Sequence, residues 1–370
     1  MHFEFSDDQV QLRDTVRKWV EKSYGFERRQ QIVAAGGFSG DAYREMAELG
    51  LPALYVAEED GGMQMGPVDA MAVMEELGAG LVLEPLVHTL IAARLLAAAE
   101  DVSLKTRYSS ALASGAVRIS LAHQERSARY RTSFSDTVAV ADGDAWRIRG
   151  RKTLVPAGDS IDAYIVPAMV DGQLALFLVE RGEGVSVDQV YPLLDGSRGA
   201  DVRFDDAPAR RLATDGVAML DYGLDIGIAA ICAYAVGIMD RTVAITADYL
   251  RTRKQFGVEI ATFQALRHKL ADMKMELELS RSLSYYASLS LDAPDDDRRR
   301  AVSSAKYQLG VSMRKVGQEA VQLHGGIGMT DEYVVSHYFK ALTQLEMTFG
   351  DSFHHLGEVS VRMTERAGVI

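Results

Sequence analysis

The hydrophobic pattern of this chain changes its period twice, near residue 116 and near residue 209. Before 116 and after 209, apolar residues recur every three to four positions, as they do on one face of a helix. Between these points, short β-rich segments are separated by Asp-Gly turns. The pattern predicts an α+β chain with an N-terminal helical domain (residues 1–115), a middle antiparallel β-barrel or sandwich domain (116–208) and a C-terminal four-helix bundle (209–370).

Local signals place individual elements inside these blocks. Ser6 and Gln9 have the spacing of a capping box and predict the start of the first helix. Further helices are expected over residues 41–49, 67–77, 84–99, 216–253, 262–291, 299–324, 331–347 and 352–366. Strands are expected over residues 117–121, 138–140, 146–148, 163–166 and 174–179. The Asp-rich segment 292–297 is expected to be an exposed loop.

Composition limits the class of protein. The 370 residues are 48% hydrophobic and 25% charged, as in globular proteins, and the formal net charge is −12. Nucleic acid is therefore not an expected partner. Cys232 is the single cysteine, which excludes an intrachain disulfide framework and predicts a buried thiol. The sequence shows no signal peptide and no uncharged run that would span a bilayer, so we expect a soluble cytoplasmic protein without a membrane partner.

A first candidate site runs from Arg251 to Gly257 and continues with the pair Phe263 and Gln264. Cations at the end of a helix complement the negative pole of its macrodipole, which is a purely structural role. The guanidinium of Arg253 is equally suited to bind a diphosphate, because it is planar and permanently charged. The residues alone leave both interpretations open.

A second candidate site runs from Gln322 to Tyr333 and contains glycines at 325, 326 and 328. These glycines allow either a tight turn after a helix or a loop on which a ligand lies close to the main chain. The segment is not a dinucleotide fingerprint, because it follows a helix and lacks the third glycine.

Other chemistries find little support in the sequence. His337, His354 and His355 invite a metal site, but adjacent histidines on a helix point to different sides and no His-Glu-x-x-His motif occurs. The serines lack a Gly-x-Ser-x-Gly elbow. No metal site is expected.

The two candidate segments together resemble the C-terminal bundle of the acyl-CoA dehydrogenases. The resemblance rests on Arg-x-x-Phe-Gly, then Phe-Gln, then Gln-x-x-Gly-Gly-x-Gly-x-x-x-Glu-Tyr. Residues 48–62 resemble the family's N-terminal domain, 150–155 its middle-domain signature and 202–208 the end of that domain. The resemblance covers nearly the whole chain and implies the same α–β–α order.

The resemblance implies FAD as the cofactor, held at a dimer interface. In the family, the β-domain of one subunit holds the flavin, and the adenosine-diphosphate (ADP) half reaches the neighbouring helical domain. By this resemblance, the residues that bind the ADP half lie in the two candidate segments. Arg253 would pair with the pyrophosphate, Phe256 would pack on the cofactor, and Gln264 would make a polar contact. The rest of the half-site would be lined by Gln322, Gly325 and Gly326.

The chain departs from the family at the catalytic base. The family's glutamate removes the α-proton of the acyl thioester, and its position here holds Phe349. Relatives that carry the base on the first helix of the C-terminal domain have it where this chain has Gly227. A phenylalanine and a glycine cannot accept a proton. Glu346 and, less favourably, Asp351 are the nearby carboxylates that would have to replace the base.

The flavin-binding segments also depart from the family. Many members have a Thr-Glu-Pro run followed by Gly-Ser-Asp, where this chain has residues 120–127 with neither proline nor glycine. The aromatic-Ile-Thr run after the middle-domain lysine is replaced by Leu154, Val155 and Pro156. The flavin half of the site is therefore altered, whereas the ADP half is intact.

This asymmetry resembles the small, base-lacking subunits of bacterial α2β2 acyl-CoA dehydrogenases, which act on pimeloyl-type, steroid side-chain or similarly bulky acyl-CoA esters. It implies α,β-desaturation of an acyl-CoA in lipid metabolism, together with a base-bearing partner subunit and an electron-transfer flavoprotein as electron acceptor. Two alternatives stay open: a homotetrameric dehydrogenase that uses Glu346 or Asp351 as base, and a non-catalytic scaffold.

Overall fold

A computed structural model describes residues 5–143 and 145–366 as eleven α-helices and nine β-strands, with short 3₁₀ turns between them. The helices are α1 (Asp7–Ser23), α2 (Phe26–Ala34), α3 (Gly40–Glu48), α4 (Pro67–Ala79), α5 (Leu86–Ala97), α6 (Val102–Ala113), α7 (Gly216–Thr252), α8 (Gln264–Leu289), α9 (Asp295–His324), α10 (Val334–Met347) and α11 (Ser352–Arg366). The strands are β1 (Ile119–Leu121), β2 (Val138–Asp142), β3 (Ala145–Pro156), β4 (Ala163–Val170), β5 (Gln173–Glu180), β6 (Val185–Pro192), β7 (Arg198–Ala213), β8 (Lys254–Gln255) and β9 (Val258–Glu259). The predicted α–β–α order is confirmed.

The strands β1 to β7 form one sheet that closes on itself. Its order is β1-β4-β2-β3-β7-β5, β6 pairs with β7, and the additional β4–β5 pairing completes the ring. Most pairs are antiparallel, as expected, but β1–β4 and the single-residue β2–β4 contact are parallel. Apolar residues alternate into the interior, where the rings of Tyr164 and Phe204 meet edge to face with centroids 5.9 Å apart.

Local capping explains several helix starts. The capping box of α1 is present: the Gln9 amide donates to Ser6 Oγ, and the Ser6 amide donates to Gln9 Oε1. The expectation of a loop over 292–297 is partly wrong, because α9 already begins at Asp295. Its first turn contains three aspartates, whose charges are favourable at the positive end of the helix dipole.

Helix α7 is long and apolar enough to cross a membrane by composition alone. Its most apolar 18-residue window has a mean hydropathy of 1.7, but 89% of that window is buried inside the protein. The window therefore has the surroundings of a core helix. Cys232 lies on α7 and is buried, as predicted.

The described residues divide into two compact units. One contains residues 5–30, 67–82 and 228–366, and the other contains residues 31–66, 83–143 and 145–227. The division separates groups of packed elements rather than consecutive blocks of sequence. The domain boundaries near 115 and 208 stay a prediction from the sequence pattern.

Candidate cofactor site

The segment after α7 forms a β-hairpin, in which a two-residue loop joins β8 and β9. Phe256 and Gly257 occupy its turn with φ of 54° and 81°. Two consecutive positive φ angles define a type I′ turn, which suits the twist of a hairpin. The side chain of Phe256 is 92% exposed, and its ring meets that of Phe263 edge to face at 6.2 Å. The hairpin thus presents an aromatic ring to the exterior.

Arg253 lies at the base of this hairpin and is fully available. Its side chain is exposed and forms no ion pair with any side chain that the structure describes, those of residues 5–143 and 145–363. The neighbouring Arg251 differs, because its guanidinium lies 3.6 Å from the carboxylate of Asp248. An uncommitted guanidinium beside an exposed aromatic ring suits a phosphate-bearing ligand with a planar base.

The glycine loop follows the end of α9. Gly325 ends that helix with φ 62° and ψ −139°, a conformation that favours glycine. A Cβ built on Gly325 or Gly326 would meet no described atom within 4 Å, so the main chain is open there. At Gly328 it would come within 3.0 Å of the Val321 carbonyl oxygen. The first two glycines therefore leave room for a ligand, and the third packs closely against the end of α9.

An aromatic cluster joins the end of α7 to the glycine loop. Tyr249 lies one helical turn before Arg253, and its hydroxyl donates to the carbonyl oxygen of His324 at 3.2 Å. The two rings stack with centroids 4.4 Å apart, and Tyr333 packs against His324 at 5.3 Å. Sequence reasoning did not identify Tyr249. Its spacing of one turn from Arg253 is the only local signal of its role.

The remaining candidates of the ADP half lie at the ends of helices. Gln264 is the first residue of α8, and Gln322 lies in the last turn of α9. Both side chains are exposed. With the uncommitted Arg253 and the open glycine main chain, these residues fit the ADP half of FAD in chemical type and accessibility.

Phe349 occupies the turn between α10 and α11. Its φ is 59°, an uncommon conformation for a bulky residue, and Gly350 follows with φ 110°. The buried ammonium of Lys306 donates to the carbonyl oxygens of Glu346 at 2.7 Å and Gly350 at 2.8 Å. The Phe349 carbonyl oxygen lies 3.1 Å from Nε2 of His355. Contacts with α9 and α11 therefore fix the conformation of the turn. The side chain of Phe349, at the position of the family's base, cannot accept a proton.

The two carboxylates near Phe349 are engaged in the turn itself. Glu346 accepts hydrogen bonds from the amide of Ser352 at 3.1 Å, from its hydroxyl at 2.8 Å and from Arg314 at 3.3 Å. Asp351 accepts from the amide of His354 at 2.8 Å in the first turn of α11. Each carboxylate is held in the turn through one oxygen, Oε1 of Glu346 and Oδ1 of Asp351, so both groups act as caps.

The altered flavin segment contains a buried ion pair in the β-sheet unit. Lys152 Nζ lies 2.6 Å from Glu125, and it also donates to Ser135 Oγ and the Pro167 carbonyl oxygen. Burial opposes ionisation of Glu125, but the ammonium of Lys152 and hydrogen bonds from Ser135 and Thr137 lower its pKa to about 2. Burial lowers the pKa of Lys152 to about 8. These partners engage Oε1 of Glu125, and the Asp136 amide donates to Oε2, so both oxygen atoms of the carboxylate are occupied.

The segment 152–156 lies beside this loop, because the Thr153 amide donates to the Gln124 carbonyl oxygen at 2.8 Å. The Leu154 amide donates to the hydroxyl of Tyr191 at 2.9 Å. Pro156 offers neither an N–H nor a hydroxyl. The groups that would bind the polar edge of a flavin are therefore occupied or absent, and these residues do not fit that half of the cofactor.

The alternative base position on α7 is also apolar. Gly227 and the following Ile228 are both buried. Neither side chain titrates, so this position supplies no proton acceptor.

Comparison with known proteins identifies the family. Residues 214–363 match the family model "Acyl-CoA dehydrogenase, C-terminal domain", and residues 6–116 match "Acyl-CoA dehydrogenase, N-terminal domain". The chain belongs to the acyl-CoA dehydrogenase family of FAD-dependent oxidoreductases.

Individual relatives cover almost the entire chain. "Probable acyl-CoA dehydrogenase YngJ" of Bacillus subtilis is 28% identical, over 95% of this chain and 97% of its own. Among solved structures, a "Tcur3481-Tcur3483 steroid ACAD" variant has a TM-score of 0.91 and 27% identity, covering 98% of this chain and 99% of that one. The ChsE4-ChsE5 complex of Mycobacterium tuberculosis has a TM-score of 0.89 and 25% identity over 99% of both chains.

Proposed function

We propose that this chain is the base-lacking subunit of a heteromeric acyl-CoA dehydrogenase. It supplies the ADP-binding half of a shared FAD site to a second subunit that carries the flavin pocket and the base. One observation carries the proposal: Arg253 is uncommitted beside the exposed Phe256, whereas Phe349 occupies the base position and Glu346 is engaged as a cap.

The argument rests on how a shared site is assembled. A homomer would build every site from both halves of one sequence, so the changes in the flavin half would impair all of its sites. In a heteromer, each site can combine the intact ADP half of this chain with the flavin half of its partner. Two solved relatives support this arrangement, since the name of each joins two components, Tcur3481-Tcur3483 and ChsE4-ChsE5.

The residues of this chain would then bind and orient, and they would not transfer protons. Arg253 would pair with the pyrophosphate, Phe256 would pack on the cofactor, and the main chain at Gly325 and Gly326 would allow close approach. FAD, when bound, would supply the acceptor for the hydride from the β-carbon of the acyl-CoA, and the partner's base would take the α-proton. A bulky acyl group, such as that of a steroid side chain, is the proposed substrate class, and an electron-transfer flavoprotein is the proposed acceptor.

The test compares the chain expressed alone with the chain co-expressed with a base-bearing paralogue. The measurements are FAD content and bleaching of the flavin by acyl-CoA. We expect little FAD and no bleaching for the chain alone. The co-expressed complex should bleach and should contain about half as many FAD molecules per chain as a homotetramer. Full flavin occupancy with turnover in the homomer would refute the proposal.

A non-catalytic scaffold predicts a different result. It would stabilise its partner whether or not the ADP half is intact. Removing Arg253 would then leave the FAD content of the complex unchanged, whereas a shared site requires that it fall.

A further inference from the structure

A cavity of about 670 Å³ is lined mainly by α1, α4, α7 and the start of α10. Every residue that lines it belongs to the compact unit of residues 5–30, 67–82 and 228–366. The lining includes none of the residues assigned to FAD, all of which the structure describes. Along α7, its member Arg241 lies 13 positions, about 20 Å, after Ile228 and 12 positions, about 18 Å, before Arg253. The cavity is therefore separate from the alternative base position and from the ADP half.

Ion pairs within the chain neutralise one part of the cavity wall. The carboxylate of Glu76 accepts from Arg13 at 2.8 Å and from Arg17 at 2.7 Å. The guanidinium of Arg281 lies 2.8 Å from the carboxylate of Glu75. Because each of these guanidiniums already faces a carboxylate, this part of the wall has little unpaired charge for a ligand.

The wall around the hydroxyl of Tyr338 is different, because cations gather there. Burial raises the pKa of this hydroxyl to about 12, although the charges of Arg241 and Arg29 act in the opposite direction. Arg29 is buried and donates from Nε to the Leu81 carbonyl oxygen at 3.2 Å. Arg241 is exposed and forms no ion pair with any side chain that the structure describes. It therefore has N–H groups available for an anion.

Apolar side chains line the space beside these cations. The aromatic and larger aliphatic members include Tyr24, Phe26, Tyr333, Tyr338, Val20 and Ile245. Ala79 of α4 and Ala244 of α7 also line the cavity, and side chains of this size leave space between the helices unfilled. Sites for small organic molecules combine apolar walls with a few polar groups that fix the orientation, in a volume of about 300–1,000 Å³. The cavity has this size and this composition.

We propose that this cavity binds a small amphipathic organic acid, with its carboxylate on Arg241 and its apolar rings against the aromatic side chains. The fork of N–H groups on a guanidinium matches a carboxylate, and the attraction is stronger in a partly dry site than in bulk water. The Tyr338 hydroxyl donates to the Ala79 carbonyl oxygen at 2.8 Å and accepts from Arg241, which orients the guanidinium at the cavity wall. Because it uses none of the residues assigned to FAD, this binding stands or falls independently of the proposed function.

Isothermal titration calorimetry of the full-length chain with β-naphthoate tests the proposal. This probe has one carboxylate on a planar apolar ring system. We expect one molecule to bind per chain, and we expect no binding of inorganic phosphate, which carries the charge without the apolar rings. If β-naphthoate does not bind at about 1 mM, the proposal is overturned.

The competing occupant is a cation, because two exposed carboxylates, those of Glu21 and Glu332, also line the cavity. The amine β-naphthylmethylamine has the same rings and the opposite charge, and we expect it not to bind. The variant Glu332→Gln should bind β-naphthoate at least as tightly as the unaltered chain. Binding of the amine that matches or exceeds that of the acid contradicts the assignment to an anion.

Two arginine variants locate the bound acid. Arg241→Gln removes the charge, and we expect the affinity for β-naphthoate to fall about ten- to a hundredfold. Arg253→Ala alters the candidate ADP half and should leave this affinity unchanged. A loss in Arg253→Ala with no loss in Arg241→Gln would place the probe at the cofactor site and would overturn the proposal.

A second pair of variants fills space without changing charge. Ala244 is exposed, so Ala244→Phe is compatible with the fold, but its ring occupies part of the cavity and should abolish the binding of β-naphthoate. Ala97→Phe adds the same ring to an exposed alanine at the end of α5 and should have no effect. Unchanged affinity in Ala244→Phe, with circular dichroism reporting folded protein, is incompatible with binding in this cavity.

Discussion

The ammonium of Lys306 donates a hydrogen bond of 2.8 Å to the carbonyl oxygen of Gly350, next to the position that holds the catalytic base in many family members. The same group donates to the Glu346 carbonyl oxygen. His355 completes the arrangement, with Nε2 on the Phe349 carbonyl oxygen and Nδ1 facing the hydroxyl of Ser303. The hydrogen bonds that fix the turn are therefore present although the catalytic side chain is absent. This indicates that they contribute to the stability of the fold.

Replacing Lys306 tests how much these hydrogen bonds stabilise the fold. Lys306→Met removes the donor and leaves two buried carbonyl oxygens without it. Each unsatisfied buried acceptor costs about 1–3 kcal/mol, and since the buried ammonium is itself costly we expect a net loss of about 2 kcal/mol in the free energy of unfolding. Urea denaturation measures this loss. The control Lys340→Met removes a partly exposed lysine that pairs with Asp331, and it should leave the urea midpoint unchanged.

The carboxylates near Phe349 can be tested in the complex with a base-bearing partner. Glu346→Gln and Asp351→Asn keep size and most hydrogen bonds, so we expect turnover of acyl-CoA to stay unchanged. Loss of a true general base lowers the reaction rate by ~10²–10⁴-fold. Stopped-flow flavin reduction distinguishes the two cases. A hundredfold decrease in either variant would identify a base in this chain and contradict the assignment of Phe349 to an inactive position.

Arg253 provides the sharpest test of the shared site. Arg253→Ala in the complex should weaken FAD binding about ten- to a hundredfold, because a charge-assisted hydrogen bond contributes about 1.5–3 kcal/mol. The fold should be unaffected, since the side chain is exposed and makes no ion pair among the described residues. The flavin-to-protein absorbance ratio after dilution measures the loss.

The matched control is Arg251→Ala. This arginine lies two positions earlier, is also exposed, and pairs with Asp248. Equal FAD loss in both variants would mean that general positive charge, rather than Arg253 in particular, attracts the cofactor.

Much of the fold follows from local sequence signals, and the exceptions have physical causes. The sequence pattern predicts neither α2 nor α6, although Asp101 caps α6 by accepting from the amides of Ser103 and Leu104. The apolar periodicity of α6 is weak, so the capping residue is the only clear sequence signal for this helix. The pattern predicts that α9 begins near residue 299, later than its observed start at Asp295, because aspartates are common in loops, yet they are equally favourable in a first helical turn.

For the candidate site, the sequence predicts which segments contribute residues, but it does not predict the contacts between them. The segments around Arg253 and Gly325 stand out by residue type and spacing. The stacking of Tyr249 on His324 does not, because it joins residues 75 positions apart through the packing of two helices. The same holds for Lys306, whose role depends on a turn 44 residues further on. Sequence patterns indicate which groups are available, and tertiary packing decides which of them meet.

Acid should destabilise the sheet unit through buried histidines. His88 is buried with Nδ1 accepting from the Leu121 amide at 3.2 Å, and burial lowers its pKa from 6.5 to about 4. Burial lowers the pKa of His123 to about 3, with the nearby His88 and Lys152 adding to the effect. Both histidines are therefore neutral in the folded protein at pH values where the unfolded chain is already protonated.

The unfolded state thus binds more protons than the folded state below pH 6.5, and stability falls as the pH falls from 6.5 towards 4. His88 alone should account for a loss of about 3 kcal/mol over this range. Urea denaturation at pH 7 and at pH 4.5 measures it. In His88→Asn the amide does not titrate, so the difference between the two pH values should shrink, whatever the substitution costs at pH 7. An unchanged difference would mean that His88 is already protonated in the folded protein or that its neutral form is not required.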